Sequence, residues 1–134
     1  MLSKVTIPAL LKMKQEGKKI VCLTAYDYLT AQIFDQAGID LILVGDSAAN
    51  VIYGHSTTLP IGMPEMLSHT QAVSKAAKRA LVVADMPFMS YQPSIDVALK
   101  NAGDFLKAGA QAVKLEGGRE ILEIADKLIK YGIP

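Results

Sequence analysis

The chain has 134 residues, with 14 Lys and Arg against 13 Asp and Glu for a formal net charge of +1, and 51% hydrophobic residues; that length suits a single domain over residues 1–134. The charges nearly cancel and the basic residues are scattered, which excludes nucleic acid and an anionic membrane surface as electrostatic partners and points to small molecules. Cys22 is the single cysteine and has no internal disulfide partner, the start "MLSKVTIPAL" lacks the apolar stretch of a leader, and no apolar run reaches the ~20 residues of a membrane span, so the expectation is a cytoplasmic protein.

In chain order, residues 3–16 predict an amphipathic helix, with Ser3 or Thr6 as cap, Pro8 in the first turn, and Leu10, Leu11 and Met13 on one side. Short β-rich runs follow at 20–26, 40–46, 80–86 and 112–116, alternating with helical spacing at about 28–37, 64–78, 94–108 and 119–131. Gly38 and Gly109 stand between a helical segment and the next strand, where a helix C-cap glycine belongs. This alternation predicts parallel strands covered by helices, either part of a TIM-type (βα)8 barrel or an open doubly wound sheet, with four complete βα units after an N-terminal helix.

Polar residues fall at the carboxyl ends of these strands, where parallel α/β folds gather their ligands. Asp46 closes the second run, Asp85 the third and Glu116 the fourth, and Lys114 lies two residues before Glu116. Side-chain alternation groups Ile42, Val44 and Asp46 on one face, Leu81, Val83 and Asp85 on one face, and Ala112, Lys114 and Glu116 on one face. The three carboxylates are expected to converge on one mouth, where their repulsion calls for a hard cation such as Mg²⁺. The competing reading of a strand-ending Asp is a helix N-cap, which accounts well for one such residue and poorly for three plus an inward lysine. For "EGG" at 116–118 a tight turn and a backbone anion site remain equal alternatives. His55, in "GHSTTLP", reads as a loop residue with a lid role as the alternative, and His69 as a packing or solvated helix residue. Thr24 and Tyr26 either line the pocket or fill the barrel, and the Met and Phe of "DMPFMSY" read as core.

The stretches "LTAYDY" (23–28), "VGDS" (44–47), "GHSTTLP" (54–60), "VADMPFMSYQ" (83–92) and "VKLEGG" (113–118), in this order, closely resemble the ketopantoate hydroxymethyltransferase family. The resemblance implies a (βα)8 barrel that transfers a hydroxymethyl group from 5,10-methylenetetrahydrofolate to 3-methyl-2-oxobutanoate, giving 2-dehydropantoate on the route to pantothenate. It implies Mg²⁺ held by Asp46 and Asp85, Glu116 as a ligand directly or through water, and Asp46, Ser47, Asp85 and Lys114 as keto-acid contacts. It further implies that chelation acidifies the substrate C–H so that an enolate forms, with Lys114 and Glu116 in catalytic positions.

Four units are half of an eight-unit barrel, and "YGIP" at 131–134 reads as the approach to a fifth strand. The resemblance places the general base, a glutamate, and a further histidine contact beyond Pro134. Unpaired outer strands predict association, so a homo-oligomer is expected, with flattening into an open flavodoxin-like sheet as the alternative. Two other readings stand beside the transferase: a Mg²⁺-dependent lyase or mutase of the phosphoenolpyruvate and isocitrate lyase type, which also works on a chelated oxo acid, and a non-catalytic half-barrel.

Overall fold

The computed structural model describes residues 3–134; Met1 and Leu2, part of the stretch read above for a leader, lie outside the described residues. The first helix, α1, runs Ile7–Gln15, capped by the Thr6 hydroxyl, which accepts from the Ala9 amide at 3.3 Å. Thr6, not Ser3, is therefore the cap, and the helix starts later than its periodicity suggested.

The remaining elements are β1 (Cys22–Thr24), α2 (Tyr28–Gln36), β2 (Leu41–Val44), the short α3 (Ala48–Val51), α4 (Met63–Ala76), β3 (Leu81–Asp85), α5 (Ile95–Lys107), β4 (Ala112–Lys114), a 3-10 turn at Arg119–Ile121, and α6 (Leu122–Lys130). The predicted alternation holds, with α3 as an addition. Asp27 and Ser94 cap α2 and α5 through the Thr30 and Val97 amides. Gly109 follows α5 with φ +105°, a backbone only glycine enters cheaply, and a Cβ there would come within 2.7 Å of the Ser74 side chain.

The four strands are parallel in the order β1-β2-β3-β4. Each new strand is added on the same side of the last, the winding of a barrel; a doubly wound sheet reverses its order at a switch point. Register assigns the faces. Ile42 partners Val82 and Val44 partners Ala84, and all four are buried in the main core with Met66, Val73 and Phe105 from the helices. On the opposite face Leu41 partners Leu81, Val83 partners Ala112, and Asp85 partners Lys114. Val5, Ile7 and Leu10 close the lower end of this second face against Leu81 and Ala112, while Leu11, expected on the same side, is 57% exposed.

A polar clasp ties the lower end together. The Asp35 carboxylate accepts from the amides of Lys78, Arg79 and Ala80, and Arg79 donates to the carbonyls of Gly38 and Ile39 and to Asp40 Oδ1 at 2.7 Å. Among the described residues no helix is long and apolar enough to cross a membrane.

Candidate active site

The upper ends of β2, β3 and β4 carry the acids. Asp85 is the last residue of β3 and the register partner of Lys114, so their side chains stand opposite each other on the face away from the helices. Lys114 Nζ donates to Asp85 Oδ1 at 2.8 Å and to Glu116 Oε1 at 2.5 Å. Asp85 is 3% exposed. Burial pushes its carboxyl above the usual range, and the hydrogen bonds from Lys114 and from the Asp46 amide only partly offset this. Burial alone would draw the Lys114 ammonium down, but Asp85 and Glu116 together outweigh it and leave it raised.

Asp46 reaches this group by another route than the pleat. Alternation puts it with Ile42 and Val44, but these face the helices, opposite to Val83 and Asp85, so the shared-face expectation for Asp46 is corrected. The chain leaves the strand after Val44 and turns at Gly45, where a Cβ would approach the Ser47 hydroxyl to 2.7 Å. The turn brings the Asp46 amide to Asp85 Oδ2 at 3.2 Å. The Asp46 side chain caps nothing: among the described residues its carboxylate has no protein donor, and α3 starts after Ser47, which makes no side-chain cap bond either. Ser47 Oγ instead pairs with the Tyr26 hydroxyl at 2.8 Å.

Asp46 and Glu116 share one cavity of about 330 Å³, whose wall also includes Thr58, Leu59, Met86, Phe88, Tyr91, Gln92 and Gly117. Asp85 and Lys114 are not in that wall; they touch it through the Asp46 amide and Glu116. Among the described residues no group of three or more His, Cys, Asp or Glu is gathered tightly enough to hold a metal by itself. Asp46 thus has no protein donor on its carboxylate among the described residues, Asp85 is buried and bound to Lys114, and Glu116 is paired with the same lysine.

Of the other expectations, Met86 is core but Phe88 is 54% exposed at the cavity. His55 is exposed and outside the cavity wall. His69 is a hydrogen-bonding residue: its Nδ1 donates to the Tyr26 carbonyl at 2.7 Å and its Nε2 meets the Tyr53 hydroxyl at 3.0 Å. In the "EGG" turn the Gly118 amide already donates to the Glu120 carboxylate at 2.8 Å, which favours the plain turn over an anion site.

Sequence reading missed Tyr91. Buried at 2% exposure, its hydroxyl donates to the Glu116 carbonyl at 2.8 Å and accepts from the Glu116 amide at 3.0 Å. Asn101 holds the same loop by donating to the Ser90 carbonyl at 2.7 Å, and Met89 within it adopts φ +65°, uncommon for a side-chain-bearing residue. No periodic signal marks Tyr91; a long loop following a strand-ending Asp was the only cue.

Sequentially ordered parallel strands with carboxylates and a lysine at their carboxyl ends define the class: part of an α/β barrel, with its polar residues at the end where such barrels carry their sites. The comparisons with known proteins narrow it. The profile of the family described as ketopantoate hydroxymethyltransferase matches residues 4–134, and the chain belongs to that family. A 3-methyl-2-oxobutanoate hydroxymethyltransferase of Desulforapulum autotrophicum is 57% identical over 132 residues, covering 98% of this chain and 50% of the relative. The enzyme of the same name from Staphylothermus marinus is 52% identical, with 99% and 49% covered. The chain spans about half the length of the curated relatives it matches. Among solved structures, 2,3-dimethylmalate lyase, a PEP mutase/isocitrate lyase superfamily member, superposes with TM-score 0.69 at 18% identity, covering 96% of this chain and 49% of that one. Phosphonopyruvate hydrolase complexed with oxalate and Mg++ gives TM-score 0.65 at 19% identity, over 79% and 36%. At such identities the likeness shows the fold, a half of a TIM-type barrel.

Proposed function

We propose that this chain supplies the metal- and keto-acid-binding part of a ketopantoate hydroxymethyltransferase, which moves a hydroxymethyl group from 5,10-methylenetetrahydrofolate to 3-methyl-2-oxobutanoate. Family membership supports the reaction, and one observation carries the site reading: the Asp46 carboxylate, without a donor among the described residues, beside the Asp85–Lys114–Glu116 chain at one mouth.

The residues fit Mg²⁺. This ion takes one or two protein carboxylates and completes its octahedron with water and substrate oxygens, so three clustered acids are not required. Asp46 offers both oxygens, and each oxygen of Asp85 has a single donor, which leaves acceptor capacity. Asp46 and Asp85 would hold the ion, with Glu116 reaching it through water. A solved neighbour of the same fold, phosphonopyruvate hydrolase, is a complex with oxalate and Mg++, which supports a joint oxo-acid and metal site. When bound, the ion supplies Lewis-acid polarisation of the keto oxygen.

The protein's own contribution is positional. Lys114 places a positive charge beside the acids, where negative charge gathers on the substrate oxygen as a proton leaves carbon. Ser47, fixed by Tyr26, offers a hydroxyl to the substrate carboxylate. Leu59, Met86 and Phe88 give the cavity an apolar wall for an alkyl group. The resemblance places the general base, a glutamate, beyond Pro134, and the acids of this mouth are read as partners of the cation and of Lys114. Family membership favours this transfer over the carbon–carbon cleavage read from the shared fold.

Calorimetry with 3-methyl-2-oxobutanoate tests the reading. Binding is expected with Mg²⁺ present, and an at least ~10-fold weaker Kd is expected without the metal or with Asp46→Asn, about 1.4 kcal/mol. Keto-acid binding indifferent to both changes would overturn it.

A further inference from the structure

Glu116 stands just past the last strand, where the sheet no longer fixes it. β4 ends at Lys114, whose carbonyl accepts from the Met86 amide at 3.0 Å. Gly117 and Gly118 follow Glu116 and add no stiffness of their own. The Glu116 side chain is 67% exposed, and among the described residues its carboxylate is bound only by Lys114. A side chain so exposed is placed by that one ion pair and by the backbone beneath it.

Tyr91 holds that backbone. Its hydroxyl takes both main-chain groups of Glu116, donating to the carbonyl at 2.8 Å and accepting from the amide at 3.0 Å. One side chain thus replaces a rung that the sheet does not provide there. The tyrosine is itself fixed: it is 2% exposed, and the Ser90 carbonyl beside it accepts from Asn101 of α5 at 2.7 Å. Phe88, Tyr91 and Gln92 of this loop line the same cavity as Glu116 and Gly117. The loop begins directly after Asp85, so the hydroxyl ties the strand end that carries Asp85 to the one that carries Glu116.

We propose that Tyr91 is a positioning residue for the cation and keto-acid site, fixing where the Glu116 carboxylate stands relative to Asp85. The inference rests on the metal reading given above. Mg²⁺ demands near-ideal octahedral geometry and keeps several of its waters, so a carboxylate that meets it through water serves only at a set distance, and groups that orient such a carboxylate tune the site. The Tyr91 hydroxyl is spent on the Glu116 backbone and acts through Glu116 alone. The competing account is a backbone pair satisfied for stability only. In that case Tyr91 matters equally whether or not residue 116 carries a carboxylate.

A double-mutant cycle separates the two accounts, read by calorimetry of the 134-residue chain with 3-methyl-2-oxobutanoate in saturating Mg²⁺. Tyr91→Phe is expected to keep the far-ultraviolet spectrum of the parent and to weaken the Kd at least ~5-fold. In a Glu116→Gln background, which keeps the shape of the side chain and removes its charge, the same change should alter the Kd by less than ~2-fold. Asn101→Ala leaves the Tyr91 hydroxyl in place and frees the loop beside it; it should weaken the Kd less than Tyr91→Phe, again only where Glu116 is present, and it carries the test should Tyr91→Phe not fold. Equal losses in both backgrounds, or a Kd unchanged by these substitutions, overturn the positioning role and leave the metal reading intact. A parent chain that binds no keto acid with Mg²⁺ overturns the metal reading, and this inference falls with it.

Discussion

Lys114 and Asp40 mark opposite ends of the sheet and respond to pH in opposite directions. The Lys114 pKa is raised above its ordinary 10.5, so the stability it contributes is fully present below that value and is lost as pH rises through the folded one. Asp85 is raised above 3.8, so its contribution too is lost on going up in pH, through its own folded value. For Asp40, burial works upward but is outweighed by the Val21 amide and by Arg79, which lower its pKa below 3.8. Its stabilisation is present above 3.8 and lost as pH falls through the folded value. Urea unfolding across pH should therefore show a flatter acid limb in Asp40→Asn and a flatter alkaline limb in Lys114→Met. At neutral pH Lys114→Met should cost about 1–3 kcal/mol, below a fully buried pair because Lys114 is partly exposed. Tyr91→Phe strips two hydrogen bonds from the Glu116 backbone, and a loss of about 1–3 kcal/mol is expected, with faster hydrogen exchange at the Glu116 amide. The acids and Lys114 were legible because strand ends can be read from apolar runs. Tyr91 was not, since its role depends on how the loop after β3 folds across α5 onto the end of β4, 25 residues further along the chain.

Glycines separate two kinds of constraint among the elements. Gly109 combines φ +105° with a Cβ position only 2.7 Å from Ser74, whereas Gly54 has φ +71° and nothing within 4 Å. Gly54→Ala should cost about 1–2 kcal/mol from backbone strain alone, and Gly109→Ala distinctly more, because α4 must also move; thermal melts of the two variants would rank them. The helix C-cap role of Gly109 was visible in "KAGAQ", but its contact with α4 was not, since spacing carries no information on which helices touch. Asp46 shows the same limit. Its place at a strand end was readable, yet pleat counting assigned it the wrong face relative to Asp85, because a strand that stops at Val44 no longer obeys alternation. The two acids meet through the Gly45 turn instead.

At the scale of the molecule, parallel alternating elements were legible because strand and helix periods differ, and the sequential strand order that distinguishes a barrel from a doubly wound sheet became visible only in the pairing. The stopper formed by Val5, Ile7 and Leu10 has a practical bearing on all of these measurements. The Val5 amide is bound to the Arg79 carbonyl ahead of β3, at the opposite pole from the carboxylates. A fluorophore or resin tether grafted upstream of Val5 would therefore emerge at the blind end, leaving the acidic vestibule unobstructed for titration.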